Sequence, residues 1–255
     1  MTLRFRWFAA MLIAAIACPV AASAAETQVA VAANFTEPAK EIAAAFTRAT
    51  GHTAVLVFGP SRAFYTQIVN GAPFEVFLSA DAAGPVQAEH DGLAVPGSRF
   101  TYAVGRLVLY STTPGLVDDA GAVLKTGRFA HLAIADPAAA PYGAAAIETM
   151  TRLGVLPILT PRLVRGSSIT QAYQFVATGA AELGFVAQSQ VITVPGGSRW
   201  LVPERLHAPI DQQAVVLKTG AGNPAAAAFA RFLRGPQARA IIKRYGYVIA
   251  TARVR

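Results

Sequence analysis

The chain has 255 residues, 54% of them hydrophobic and 14% charged, with 22 Lys and Arg against 14 Asp and Glu and a single cysteine, Cys18. So small a charged fraction, with so many small apolar side chains, excludes intrinsic disorder, and collagen-like or repeat architectures are excluded too. One or two densely packed domains are expected.

The N-terminus orders a positive start (Arg4, Arg6), an apolar run from Trp7 to Ala17 and a small-residue end, Ala21-Ala22-Ser23-Ala24-Ala25. That order predicts a cleavable secretory signal peptide over residues 1–25, with the mature chain starting at Ala25 or Glu26. Acylation of Cys18 is disfavoured, because Ala15 is a poor fit three positions ahead of it. Without the signal, 20 basic and 14 acidic side chains remain, a net charge of +6. With Cys18 removed there is no thiol for a disulfide or for nucleophilic chemistry. Lys and Arg are scattered, and the cluster Arg231, Arg234, Arg239, Lys243 and Arg244 recurs like a solvated helix face, so no nucleic-acid partner is expected.

From Thr27 onward short apolar strands alternate with helical stretches, the pattern of a parallel-sheet α/β protein. Val29 to Ala32 reads as the first strand. Thr36 then suits a helix cap, Glu37 the positive end of the helix dipole and Pro38 the first turn, with Ile42, Ala45 and Phe46 on the buried face and a stop at Gly51. A second strand over Ala54–Phe58 runs through Gly59-Pro60-Ser61 into a helix from about Arg62 to Asn70. A third strand, Phe74–Leu78, reaches Asp81 and a helical stretch to about His90. Gly105 to Tyr110 reads as one long strand and a crossover. Beyond it, His131–Ala135 is a strand, Tyr142-Gly143 opens a helix carrying Ile147, Met150 and Leu153, and Gly166–Gln171 opens another with Ala172, Phe175 and Val176. Leu183–Ala187 is a strand, and Ala214–Leu217 is a strand able to return to the first block. Two final helices start at Asn223-Pro224 and at Pro236. This division predicts two α/β lobes: 26–104 and 210–255 forming the first, 105–209 the second, with a ligand cleft between them.

Enzymatic constellations are thin. His52, His90, His131 and His207 have no metal-ligand spacing and read as structural or surface residues. No Gly-x-Ser-x-Gly turn and no Walker loop is present. The run Gly220-Ala221-Gly222-Asn223-Pro224-Ala225 has a proline where a phosphate loop needs an amide proton, and reads as a turn capped by Asn223. Asp81 and Asp136 stand at strand ends, where catalytic carboxylates occur, but an ordinary strand-to-helix turn explains them as well. Four places pair a strand end with a helix start, at Asn34, Ser61, Tyr142 and Ile169. The first amides of a helix lack internal acceptors and carry a fractional positive charge, so converging starts can bind an anion without basic side chains. The polar residues there can equally be capping their own helices, and periodicity alone leaves both readings open.

Six segments carry a family resemblance. They are Val31-Ala32-Ala33-Asn34-Phe35, Gly59-Pro60-Ser61, the run from Gln67 to Asp81, the run from Pro96 to Leu109, Ala140-Pro141-Tyr142-Gly143 and Gly184-Phe185-Val186-Ala187. Together they resemble the periplasmic molybdate-binding proteins of molybdate ABC transporters, from about Thr27 to Val248. The most specific stretch is Asn70-Gly71-Ala72-Pro73 followed by Val76-Phe77 and Ser79-Ala80-Asp81. The resemblance implies a two-lobed periplasmic binding protein fold of type II, with molybdate or tungstate held in the cleft by hydroxyls and backbone amides. The oxyanion's metal would have no direct protein ligand.

Carried over by position, the resemblance makes Asn34 the first-loop ligand, its side-chain amide donating where relatives often have a serine hydroxyl. Ser61 would donate from Oγ and its backbone N–H, Tyr142 and Ile169 from backbone amides, and Ala33 would add a contact. Two departures stand out. Many members place a donor tyrosine at the position of Ala187, a loss for which Asn34 would compensate, and Pro60 replaces a serine before Ser61. The implied protein is an exported solute-binding component without a cofactor, not an enzyme, delivering its oxyanion to an inner-membrane ABC permease from the periplasm, and a monomer suits a shuttle. Competing expectations are a binder of sulfate or phosphate, a periplasmic oxyanion sensor, and a hydrolase using Asp81 or Asp136.

Overall fold

The computed structural model describes residues 24–249. The segment read as a signal peptide lies outside the described residues, apart from Ala24 and Ala25. Strand β1 (Glu26–Ala32) leads through a single 3-10 turn, Ala33–Phe35, into α1 (Thr36–Thr50). Thr36 is therefore not the cap: the chain has already begun to coil, and the Thr36 hydroxyl donates back to the Ala33 carbonyl at 2.8 Å. Pro38 does lie in the first turn, and Ile42, Ala45 and Phe46 face the core. The chain continues through β2 (Thr53–Gly59), α2 (Ser61–Val69), β3 (Val76–Leu78) and α3 (Ala83–His90).

The strand expected over Gly105–Tyr110 is β5 (Leu107–Ser111), and an unexpected strand, β4 (Phe100–Gly105), precedes it in the other sheet, the two parting at Arg106. There follow α4 (Val123–Thr126), β6 (Leu132–Ala135), α5 (Pro141–Arg152), α6 (Leu156–Leu159), β7 (Leu163–Gly166), α7 (Ile169–Ala177), β8 (Leu183–Ala187), α8 (Gln188–Val191) and β9 (Ser198–Leu201). The chain then forms β10 (Ile210–Val216), α9 (Pro224–Arg234) and α10 (Pro236–Arg244). Asn223 caps α9 as read from the sequence, its side chain accepting from the Ala225 N–H at 2.9 Å.

Two five-stranded sheets result, ordered β2-β1-β3-β10-β4 and β7-β6-β8-β5-β9. They share one plan. In each, three parallel strands lie beside one antiparallel strand, β10 or β5, that enters from a distant part of the chain, as in the type II arrangement of two-lobed binding proteins. The chain changes sheet between Gly105 and Leu107 and again between Leu201 and Ile210. One core cluster gathers β1, α1, α9 and α10, and another gathers β5, β6, β8 and α5 and reaches across to Ala32 and Ala80.

Register does the positioning. In the first sheet Ala32 pairs with Gly59, so α1 and α2 begin side by side just past the ends of β1 and β2. In the second, Ala135 pairs with Gly166, and α5 and α7 follow in the same sense. Ligands of open α/β sheets collect at such carboxyl ends. Gly143 sets how closely α5 approaches β6, since a Cβ there would stand 2.2 Å from the Ala135 carbonyl oxygen. This close approach also explains why α5 buries Ala145, Ala146 and Met150, while Ile147 and Leu153 are only half-buried. Gly143→Ala is expected to push α5 off β6 and destabilise the fold by about 1–3 kcal/mol, read as a lower urea midpoint at unchanged slope.

Candidate functional site

Between the two sheets the structure brings Ala33, Asn34, Ser61, Tyr142 and Ile169 to the walls of one small cleft. Ala32, Gly59, Pro60, Ala80, Ala140, Pro141 and Ser168 complete the lining, and none of these side chains carries a charge. Asn34 sits in the turn before α1, Ser61 is the first residue of α2, Tyr142 the second of α5 and Ile169 the first of α7. Their backbone N–H groups have no acceptor among the described residues, as the position of each at a helix start requires. Each start carries roughly half a positive charge, so four of them together present about two, from neutral groups alone.

Ser61 is buried, and its Oγ accepts the Ala80 N–H at 2.9 Å, which leaves its own proton to donate. Ser168 was not singled out from the sequence, yet it lines the cleft and caps α7, its Oγ accepting from the Gln171 N–H at 3.2 Å. Its signal was available: a serine directly before an apolar helix start.

Asn34 behaves differently from the reading of its side chain as a ligand donor. Its Nδ2 donates to Gln212 Oε1 and to the Tyr247 hydroxyl, both at 2.9 Å. Both amide protons are thereby taken up inside the protein, while the Asn34 backbone N–H has no acceptor among the described residues. The idea that the Asn34 side chain makes up for a tyrosine at position 187 falls with this geometry. Ala187 itself is buried, its N–H bonded to Gln190 Oε1 at 2.9 Å.

The residues around Asn34 form a buried polar cluster that sequence reasoning missed. Gln212 Oε1 also accepts from the Tyr102 hydroxyl at 2.9 Å, and Gln212 Nε2 donates to the Tyr142 hydroxyl at 3.1 Å. The Asn34 carbonyl accepts from Ser189 Oγ at 2.8 Å and from the Tyr247 hydroxyl at 2.7 Å. The only clue was two glutamines, Gln212 and Gln213, ahead of an apolar run; starting that strand at Ala214 hid them.

The other candidates lie elsewhere. Asp81 accepts from Ser79 Oγ at 2.9 Å and the Gly84 N–H at 3.3 Å, and Asp136 from the Ala138 N–H at 2.9 Å, so both carboxylates serve turns. The two arginines beside the helix starts, Arg62 after Ser61 and Arg165 before Gly166, are exposed and do not line the cleft. Among the described residues no group of His, Cys, Asp and Glu is placed to hold a metal ion.

Two lobes joined by two chain crossings, with an uncharged cleft fed by four helix starts, define a solute-binding protein. The profile of the bacterial extracellular solute-binding proteins matches residues 27–248. The chain is 61% identical to the molybdate-binding protein ModA of Rhodobacter capsulatus, over 97% of each chain. It is 57% identical to the ModA of Azotobacter vinelandii, over 91% of this chain and 92% of that one. The solved structure of the Azotobacter vinelandii periplasmic molybdate-binding protein superposes with a TM-score of 0.86 at 45% identity, covering 88% of this chain and all of that one. The chain belongs to the bacterial extracellular solute-binding protein family, in the branch of the ModA proteins.

Burial pushes the hydroxyls of Tyr142 and Tyr102 well above the ordinary tyrosine range, reinforced by their tyrosine neighbours and, for Tyr102, by Asp81. Burial also pushes Tyr247 up to about 12, against its hydrogen bonds with Ser189 and Asn34, which lower it. These hydroxyls stay protonated beside the cleft at any physiological pH. A group raised on folding contributes its full stability below its unfolded value and loses it as pH climbs through the folded one. Stability should therefore fall between about pH 10 and about pH 12, by on the order of 2 kcal/mol from Tyr247 alone. Urea melts across that range should show a shallower alkaline decline in Tyr247→Phe, and identical declines would remove Tyr247 from this account.

Proposed function

We propose that the protein captures molybdate, or tungstate, in the cleft between its lobes and delivers it to an inner-membrane ABC permease from the periplasm. The observation that carries this reading is that Asn34, Ser61, Tyr142 and Ile169, whose backbone amides have no acceptor among the described residues, line one small space free of charged side chains. The relatives named for molybdate binding, which match nearly the whole chain, support it.

The physics of a doubly charged tetrahedral oxyanion fits such donors. Four acceptor oxygens ask for several hydrogen bonds from several directions, and backbone amides with a serine hydroxyl supply them without titrating. Two helix starts come from each lobe, so the full set surrounds an anion only when the lobes face each other across it. Ser61 gives Oγ and its amide; Asn34, Tyr142 and Ile169 give amides; Ala33 completes the wall. The same set holds the oxyanion as cargo, with no bond from protein to its metal, no cofactor and no chemical turnover. Sulfate, with shorter bonds, would leave buried donors unpaired at about 1–3 kcal/mol each. Lobe closure is the signal that the permease reads, and a single free chain suffices for the shuttle.

Isothermal titration of the mature chain from Glu26, stripped of ligand, with molybdate, tungstate, sulfate and phosphate in turn tests the reading. One-to-one binding of the first two with silence from the others is the expected result; heat from sulfate or phosphate alone would assign the cleft to a different oxyanion. Ser61→Ala should weaken molybdate binding by about 1–3 kcal/mol, since it removes one buried donor, and wild-type affinity in that variant would take the Ser61 hydroxyl out of the site.

A further inference from the structure

Gln212 has no surface in the cleft, yet its side chain joins the two halves of it. It is fully buried on β10, in the first lobe. From there its Oε1 holds Asn34 Nδ2, in the same lobe, while its Nε2 reaches across to the Tyr142 hydroxyl on α5, in the second. Asn34 and Tyr142 line the cleft from opposite lobes, each with a backbone N–H that has no acceptor among the described residues. One primary amide thus fixes where both of these donors stand relative to each other. Ser189 on α8 adds a parallel tie from the second lobe to the Asn34 carbonyl.

The chain leaves room for this contact. At Gly105, where the first crossing between the sheets begins, a Cβ would lie 2.2 Å from the Tyr142 hydroxyl oxygen and 2.7 Å from Gln212 Nε2. Any larger residue there would occupy the place where the two side chains meet. The contact spans the lobes beside a hinge crossing, so an opening rotation about that crossing separates the Gln212 amide from the Tyr142 hydroxyl.

We propose that Gln212 is a positioning residue that holds the closed arrangement of the two lobes and thereby the spacing of the oxyanion-binding amides of Asn34 and Tyr142. The proposal rests on the reading of the cleft as an oxyanion site. Gln212 touches no ligand: it raises affinity by increasing the population of the conformation in which all donors converge. The alternative, that these polar groups merely satisfy one another in a buried core, predicts an effect on stability without an effect on closure.

The mature chain has no cysteine of its own, so Ala44→Cys on α1 and Ala122→Cys beside α4, both exposed, accept a pair of fluorophores that report the distance between lobes. In this labelled protein, Gln212→Leu, Tyr142→Phe and Gly105→Ala should each shift the ligand-free distribution toward longer distances. Each should also raise the molybdate dissociation constant about tenfold or more, mainly through faster release. Tyr142→Phe added to Gln212→Leu should bring little further loss, because both remove the same bond. If Gln212→Leu does not fold, Tyr142→Phe, which loses a single oxygen, carries the test. Wild-type distances and affinity in Tyr142→Phe and Gly105→Ala would overturn the proposal, as would a lower melting temperature with both unchanged. If the unsubstituted chain fails to bind molybdate while the variants still open, the oxyanion reading fails and the positioning role stands.

Discussion

A doubly charged ion in a narrow cleft has to be stabilised by something, and in this protein the groups available are backbone amides at helix starts and the Ser61 hydroxyl. The arrangement depends on parallel strand pairing. Because Ala32 pairs with Gly59 and Ala135 with Gly166, two helices leave each sheet from neighbouring strand ends and aim at a common space. A one-residue slip in either register would turn every side chain of a strand to the other face and carry the helix start with it. Amides held this way cannot change protonation state and have few alternative positions, so the electrostatics of the cleft is a property of the fold.

Behind that wall lies a second layer made of side chains. Tyr102, Tyr142, Tyr247, Ser189, Gln212 and Asn34 form a polar cluster in a region that is otherwise apolar. Burying so many polar atoms is costly unless each finds a partner, and a satisfied cluster specifies one geometry more sharply than apolar packing does. The raised tyrosine values follow from the same burial and keep the hydroxyls neutral donors and acceptors. Asn34 shows how the layers divide their labour. Its side chain serves the buried cluster, and its backbone N–H, in a residue that lines the cleft, is left without an acceptor among the described residues.

Much of the architecture is legible along the chain. The strands β1, β2, β6 and β8 are short apolar runs, the helices after them begin at polar or proline-marked turns, and Asn223-Pro224 announces α9. The strands that reading missed, β4, β7 and β9, are all sheet edges. An edge strand has only one neighbour, and sequences such as Leu-Val-Arg-Gly and Ser-Arg-Trp-Leu, which mix apolar with charged or polar residues, carry little of the continuous apolar signal of a central parallel strand. The break at Arg106 was hidden for a related reason, since the residues on either side are equally apolar and only their pairing partners differ.

The sequence by itself determined the α/β class, the order of most elements and the placing of Asn34, Ser61, Tyr142 and Ile169 where a strand end meets a helix start, because local propensity and short motifs are written in neighbouring residues. Only the tertiary structure decided which of their polar groups are taken up inside the protein. Whether the Asn34 side chain is free or held depends on Gln212 and Tyr247, which lie 178 and 213 residues further along the chain. The direction of a buried amide is set by the partners that packing brings to it, and no local pattern records who those partners will be.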